Sequence, residues 1–174
     1  MALRLNIGGI EVREGWKILN IQPGPGVDYV GNCATLGQFA EASVDEIYAA
    51  HVLEHLGYQQ ELAGALREMR RVLIPGGVLR LSVPDLDVLC RLFVDPALST
   101  DQRFFVMRMM FGGQIDEHDF HRVGLNWDFL SGYLAKTGFH EIKRVAEFGL
   151  FPADCSAMQF GDRLISLNVV ARKL

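Results

Sequence analysis

The chain has 174 residues, 49% of them apolar and 22% charged, which suits one folded unit with a real hydrophobic core and excludes a disordered or low-complexity protein. A net charge of −4 gives no general attraction for nucleic acid, whose affinity comes from neutralising phosphates, so no nucleic-acid partner is expected. Cys33, Cys90 and Cys155 are odd in number and lack zinc spacing, no apolar run is long enough for a membrane span, and the start Met1–Asn6 has no signal-peptide core; together these predict a cytoplasmic protein with free thiols.

In chain order, Leu3 to Ile7 alternates apolar and polar residues and stops at Gly8-Gly9, predicting a first strand and its turn. Trp16 to Ile21 predicts a second strand, ended by Pro23-Gly24-Pro25-Gly26, and Val27 to Val30 a short third. Val44 to Ala50 predicts a fourth. Leu62, Leu66, Met69 and Leu73 recur at helical spacing within residues 59–73, and Pro75-Gly76-Gly77 is expected to end that helix before a fifth strand over Val78–Val83. A helix is expected after Pro84-Asp85, with Val88, Leu89, Leu92 and Phe93 inward.

Ser99 and Gln102 have capping-box spacing ahead of an unusually apolar helix from Phe104 to Phe111, expected to lie buried beneath the sheet; the alternatives are a flexible wall for an apolar substrate or a homodimer contact. Asn126 is placed to cap a helix running to Thr137, with His140–Val145 and Leu164–Val170 as last strands, paired at the sheet edge. Strand, helix, turn and strand in that order make a βαβ unit and a parallel sheet. The predicted fold is α/β, a Rossmann-like, mostly parallel twisted sheet flanked by helices, forming one domain over residues 1–174.

Three stretches bring a family into view. Leu5-Asn6-Ile7-Gly8-Gly9, the run from Ser43 to His55, and the run from Arg71 to Asp85 each resemble segments of the class I S-adenosylmethionine-dependent methyltransferases, the second in the type 11 branch. The resemblance covers residues 3–95 and is looser beyond. It implies methyl transfer from S-adenosylmethionine to a small-molecule or glycan-related acceptor, with Gly8, Gly9, Asn20, Asn32 and His51 contacting the cofactor. Ligands of open parallel sheets bind at the carboxyl ends of the strands, where Gly8, Asn20 and His51 are expected to face one cleft.

The chain departs from the family pattern in three places. Asn20 and Asn32 stand where relatives carry acidic residues, and an amide lacks the charge assistance that strengthens a hydrogen bond. Only residues 8–15 separate the first two strands, too few for a crossover helix, so that helix is expected to be reduced or absent. The runner-up function is therefore a catalytically silent Rossmann-like domain that binds a nucleotide or a protein partner.

Two polar groups remain. His51, Glu54 and His55 follow the fourth strand; His51 suits general-base or cofactor contact, whereas Glu54 and His55 read as helix caps. Asp116-Glu117-His118-Asp119-Phe120-His121 reads as a solvated loop rather than a metal site, acting as a lid hinged at Gly112-Gly113, with His121 as the candidate catalytic residue on the acceptor side.

Overall fold

A computed structural model describes residues 3–174; Met1 and Ala2, where the reading of the N-terminus begins, lie outside the described residues. Seven strands form one sheet in the order β3-β2-β1-β4-β5-β9-β6: β1 (Arg4–Ile7), β2 (Trp16–Asn20), β3 (Tyr29–Val30), β4 (Val44–Ala50), β5 (Leu73–Pro84), β6 (His140–Val145) and β9 (Ser166–Arg172). The pairs β2/β3, β1/β2, β1/β4 and β4/β5 are parallel, and β9 runs antiparallel to both its neighbours. The expected C-terminal pair is present, with β6 on the edge. A small hairpin, β7 (Gln159–Phe160) with β8 (Arg163–Leu164), stands apart from the sheet. No helix among the described residues is long and apolar enough to cross a membrane.

The two faces of the sheet differ in chemistry because side chains alternate along each strand. Leu5, Ile7, Leu19, Ile47, Ala49, Leu79, Leu81, Leu167 and Val169 form one apolar face. It packs on α1 (Glu61–Val72) through Leu62, Leu66 and Met69, on α4 (Trp127–Lys136) through Leu130 and Leu134, and on the loop residues Cys33, Leu36 and Phe39. Truncating any of these leucines to alanine costs about 2–5 kcal/mol.

The opposite face carries Trp16, Tyr48, Ser82 and Asn168, and there is no crossover helix between β1 and β2 to cover it. The segment from Phe148 to Ser156 lies there instead. Phe151 packs edge-on against Trp16 at 5.6 Å and stacks on Tyr48 at 5.4 Å. Glu11 accepts from the Ala153 amide at 3.2 Å, so the shortened β1–β2 link is tied to this cover. Asn168 donates to the carbonyls of Ala146 (2.7 Å) and Ser156 (2.8 Å), satisfying buried backbone groups that no strand reaches.

Three expectations are corrected. Pro75-Gly76-Gly77 does not separate helix from strand: α1 ends at Val72, β5 begins at Leu73, and residues 74–77 bulge out where the pairing steps from Val44–Leu73 to Glu46–Val78. Gly76, at φ +79°, permits that bulge, and the Lys173 ammonium caps the helix end by donating to Leu73 O at 2.6 Å and Arg71 O at 3.2 Å. The apolar helix α3 (Thr100–Phe111) is not beneath the sheet. It packs against α2 (Leu86–Phe93) around Leu89, Leu92 and Val106, leaving Phe104, Phe105 and Phe111 exposed. Its apolar residues encircle the helix, so α2 and the small hairpin, whose Phe160 stacks on Phe105, cannot bury them all. Phe93, expected inward, closes α2 and is 42% exposed. The capping box of Ser99 with Gln102 and the Asn126 cap form as expected.

Candidate functional site

A cleft of about 520 Å³ opens at the carboxyl ends of β1, β2 and β4. Parallel strands align those ends, so Gly8, Asn20 and His51 line it together, with Asn32 from the loop after β3. Residues 115–119 form the far wall, and the Gln22 amide reaches across to the Asp116 carboxylate at 3.0 Å.

Each predicted residue has a definite local job. Gly8 sits at φ +76°, a conformation that glycine tolerates best, and a Cβ there would lie 2.5 Å from Val52 Cγ2. Gly9 does not line the cleft; it packs over the Asn6 amide, which a Cβ would approach to 2.1 Å. Asn20 donates to the carbonyls of Gly8 (3.3 Å) and Gly9 (3.1 Å) and accepts from the Gln22 amide (3.0 Å), clamping the loops after β1 and β2. Asn32 accepts from Ala34 N at 2.8 Å, which fixes the turn of a residue that lines the cleft.

His51 holds a left-handed backbone at φ +53°, unusual for a residue with a Cβ. Its Nε2 bonds Ser166 Oγ at 3.1 Å and its Nδ1 lies 3.7 Å from Glu54 Oε1. Burial, then the neighbouring His121 and His55, hold its pKa down at about 4. His121 does not line the cleft. It lies beneath the wall, with Nδ1 3.0 Å from the Met109 carbonyl and Nε2 4.0 Å from Glu54 Oε1.

Glu54 caps nothing, contrary to expectation. It lies in a short 3-10 turn over Leu53–His55, is 2% exposed, and neither carboxyl oxygen has a hydrogen-bond partner. Burial raises its pKa to about 8, and burial also lowers those of His55 and His121. His55 is no cap either: Nδ1 meets the Phe120 carbonyl at 3.3 Å, and its ring meets that of His121 edge-on at 4.8 Å.

The convergence of Glu54, His55 and His121 was missed in the sequence because His121 arrives through the loop after α3. Ser166 was missed because β9 had to be known to lie beside β5. The Glu54-His55 pair directly after a parallel strand was the one local signal.

Residues 11–81 match the sequence model of a family described as methyltransferase domain. The fold is similar to that of an S-adenosylmethionine-dependent methyltransferase from Archaeoglobus fulgidus (14% identity, TM-score 0.60, 99% of this chain and 86% of that one). It is also similar to one from Methanosarcina mazei (16% identity, TM-score 0.59, 99% and 92%). A further likeness is to human N-acetylserotonin methyltransferase in complex with S-adenosylmethionine (14% identity, TM-score 0.57, 98% of this chain). This chain spans 47% of that human protein's length and 48% of the CurJ carbon methyltransferase chain, which it also resembles (17% identity, TM-score 0.56, 98% of this chain). No curated protein sequence matches the chain. At these identities the structural likeness establishes the fold, that of the Rossmann-like methyltransferase sheet, and residues 11–81 are similar in sequence to the methyltransferase-domain family.

Proposed function

We propose that the chain transfers a methyl group from S-adenosylmethionine to a small-molecule or glycan-related acceptor. The carrying observation is that Gly8, Asn20, Asn32 and His51 line one cleft at the strand ends of a methyltransferase-type sheet. Its volume, about 520 Å³, lies within the range of small-molecule sites. The residues present fit the cofactor. The Asn32 amide and the backbone beside Gly8 offer hydrogen bonds to a nucleoside, and the carboxylates of Asp116 and Glu117 complement a cationic ligand.

The bound cofactor supplies a methyl group already activated on a sulfonium. The protein's part is then positioning more than acid–base chemistry. Gly8 lets backbone approach the ligand, with Gly9 shaping the turn from behind. Asn20 holds the two loops that frame the nucleoside. His51, neutral at physiological pH, lines the cleft at the end of β4 and presents its ring to the acceptor or cofactor. His121 acts from below through His55, whose ring it touches.

A second reading, a catalytically silent nucleotide-binding domain, is favoured by the commitment of the Asn20 amide to two carbonyls, which leaves it no donor for a ribose. Incubation with methyl-labelled cofactor and pools of hydroxylated, aminated and carboxylated small molecules separates the two. Labelled acceptor that is lost in His51→Ala supports transfer; binding without label in any pool supports the silent domain.

A further inference from the structure

We propose that Glu54, His55 and His121 bind a divalent transition-metal ion of the zinc class, with the fourth coordination position open. One ligand atom from each of Glu54, His55 and His121 lies within 4.8 Å of the others, and His51 Nδ1 is 3.7 Å from Glu54 Oε1. Ligands of a tetrahedral zinc ion at about 2.0–2.1 Å stand about 3.3 Å apart, so movements of about 1 Å close the set.

Hydrogen bonding fixes which ring nitrogens are free. The Met109 and Phe120 carbonyls can only accept, so His121 and His55 carry their protons on Nδ1 and keep lone pairs on Nε2, with His121 Nε2 facing Glu54 Oε1 at 4.0 Å. Ser166 donates its hydroxyl proton to the Cys155 carbonyl at 2.7 Å, so its oxygen accepts from His51 Nε2–H. The His51 Nδ1 lone pair then faces Glu54. Such outer hydrogen bonds are those that orient imidazoles toward a metal.

The result is a cluster of acceptors without a donor. Glu54 is 2% exposed, its two oxygens have no hydrogen-bond partner, and among the described residues no lysine or arginine pairs with it. A proton on Glu54 would satisfy one facing nitrogen; a cation satisfies all of them at once. Imidazole and carboxylate donors together favour zinc-like ions over magnesium or calcium, which take oxygen. His51 and His55 line the open cleft, which gives the ion a way in, while Met109 and Met110 close the other side. The sequence pointed away from any metal because its only dense polar run, Asp116 to His121, contributes one ligand and leaves the rest exposed or turned elsewhere.

The site does not depend on the methyl-transfer reading, and its test uses metal alone. Chelator-stripped protein is titrated with Co²⁺, followed by visible absorption and calorimetry, and then with Zn²⁺. One ion per chain is expected, with visible bands of nitrogen- and oxygen-ligated cobalt that Zn²⁺ abolishes. His55→Ala and His121→Ala should each weaken binding at least about tenfold. Glu54→Gln, which keeps the side chain's volume and removes its charge, should do the same while near-ultraviolet circular dichroism stays native. His140→Ala, on exposed β6, should bind as the parent does. Uptake well below one ion per chain, or binding retained in the folded Glu54→Gln and His55→Ala proteins, would overturn the site.

Discussion

His51 Nε2 and Ser166 Oγ are hydrogen-bonded at 3.1 Å although 115 residues separate them, so the end of β4 is locked to the start of the antiparallel strand β9. Ser166 in turn donates to Cys155 O, in the segment that covers the polar face. One hydroxyl thus links a cleft residue with strained backbone to the element that replaces a crossover helix. Ser166→Ala removes both bonds and leaves a buried imidazole proton and a carbonyl unpaired. The expected loss is about 1–3 kcal/mol in chemical unfolding, with weaker ligand binding in the cleft. A stability within 0.3 kcal/mol of the parent, on the order of measurement error, would show that the link carries no energy.

Asn20→Asp places a carboxylate where family relatives carry one, which suggests at first sight a gain in cofactor affinity. The structure predicts the opposite. The Asn20 amide donates to Gly8 O and Gly9 O, and a carboxylate would set negative charge against both carbonyls. The variant should lose about 1–3 kcal/mol of stability and bind no more tightly. Thermal unfolding and titration with S-adenosylhomocysteine check both halves, and tenfold tighter binding would contradict this account of Asn20.

Asp28 gives a pH dependence of definite sign. Its carboxylate accepts from Lys17 Nζ at 2.6 Å and from Ile18 N at 2.8 Å, and the bond to Lys17, then that to Ile18, hold its pKa below the usual aspartate range. A depressed folded value means its contribution is complete above the unfolded pKa of about 3.9 and fades as pH falls through the lower folded value. Parent and Asp28→Asn should therefore differ in stability at neutral pH and converge in acid. Parallel unfolding curves between pH 7 and 2 would remove this role.

The wall formed by residues 112–121 is predicted to tighten on the cleft when ligand binds. It is an internally bonded loop, with Gln114 N on Asp119 O at 3.0 Å and His118 N on Asp116 Oδ1 at 2.7 Å, tethered across the cleft by Gln22. Gly112 at φ +85° is its hinge, and a Cβ there would meet Asp119 O at 2.2 Å. Amide hydrogen exchange should slow across the loop on saturation with S-adenosylhomocysteine. Unchanged exchange at saturation would make it a fixed wall.

The parallel strands were legible because short apolar runs ended at glycine or proline signals, and strand-end geometry then brought Gly8, Asn20 and His51 to one edge. The missing crossover helix was legible from spacing alone. Other features depend on tertiary neighbours that periodicity does not carry. Phe104 to Phe111 looked like core because composition does not reveal that a helix packs only on a short helix and a two-stranded hairpin away from the sheet. Glu54 looked like a cap because an acidic residue beside a turn usually is one; its isolation follows from the Arg122 and Val123 amides bonding its backbone carbonyl while its side chain turns inward. The Pro75-Gly76-Gly77 bulge needed knowledge of the Lys173 strand end that pairs with it.

Cofactor binding in the cleft is the central claim, and calorimetric titration with S-adenosylhomocysteine tests it most directly. The predicted result is one site per chain with a dissociation constant of about 10 µM to 1 mM, equivalent to about 4–7 kcal/mol, weak because Asn20 and Asn32 replace charged anchors. His51→Ala should weaken it further. Neither heat nor a thermal shift at millimolar ligand, with the protein folded, would contradict the assignment of this cleft.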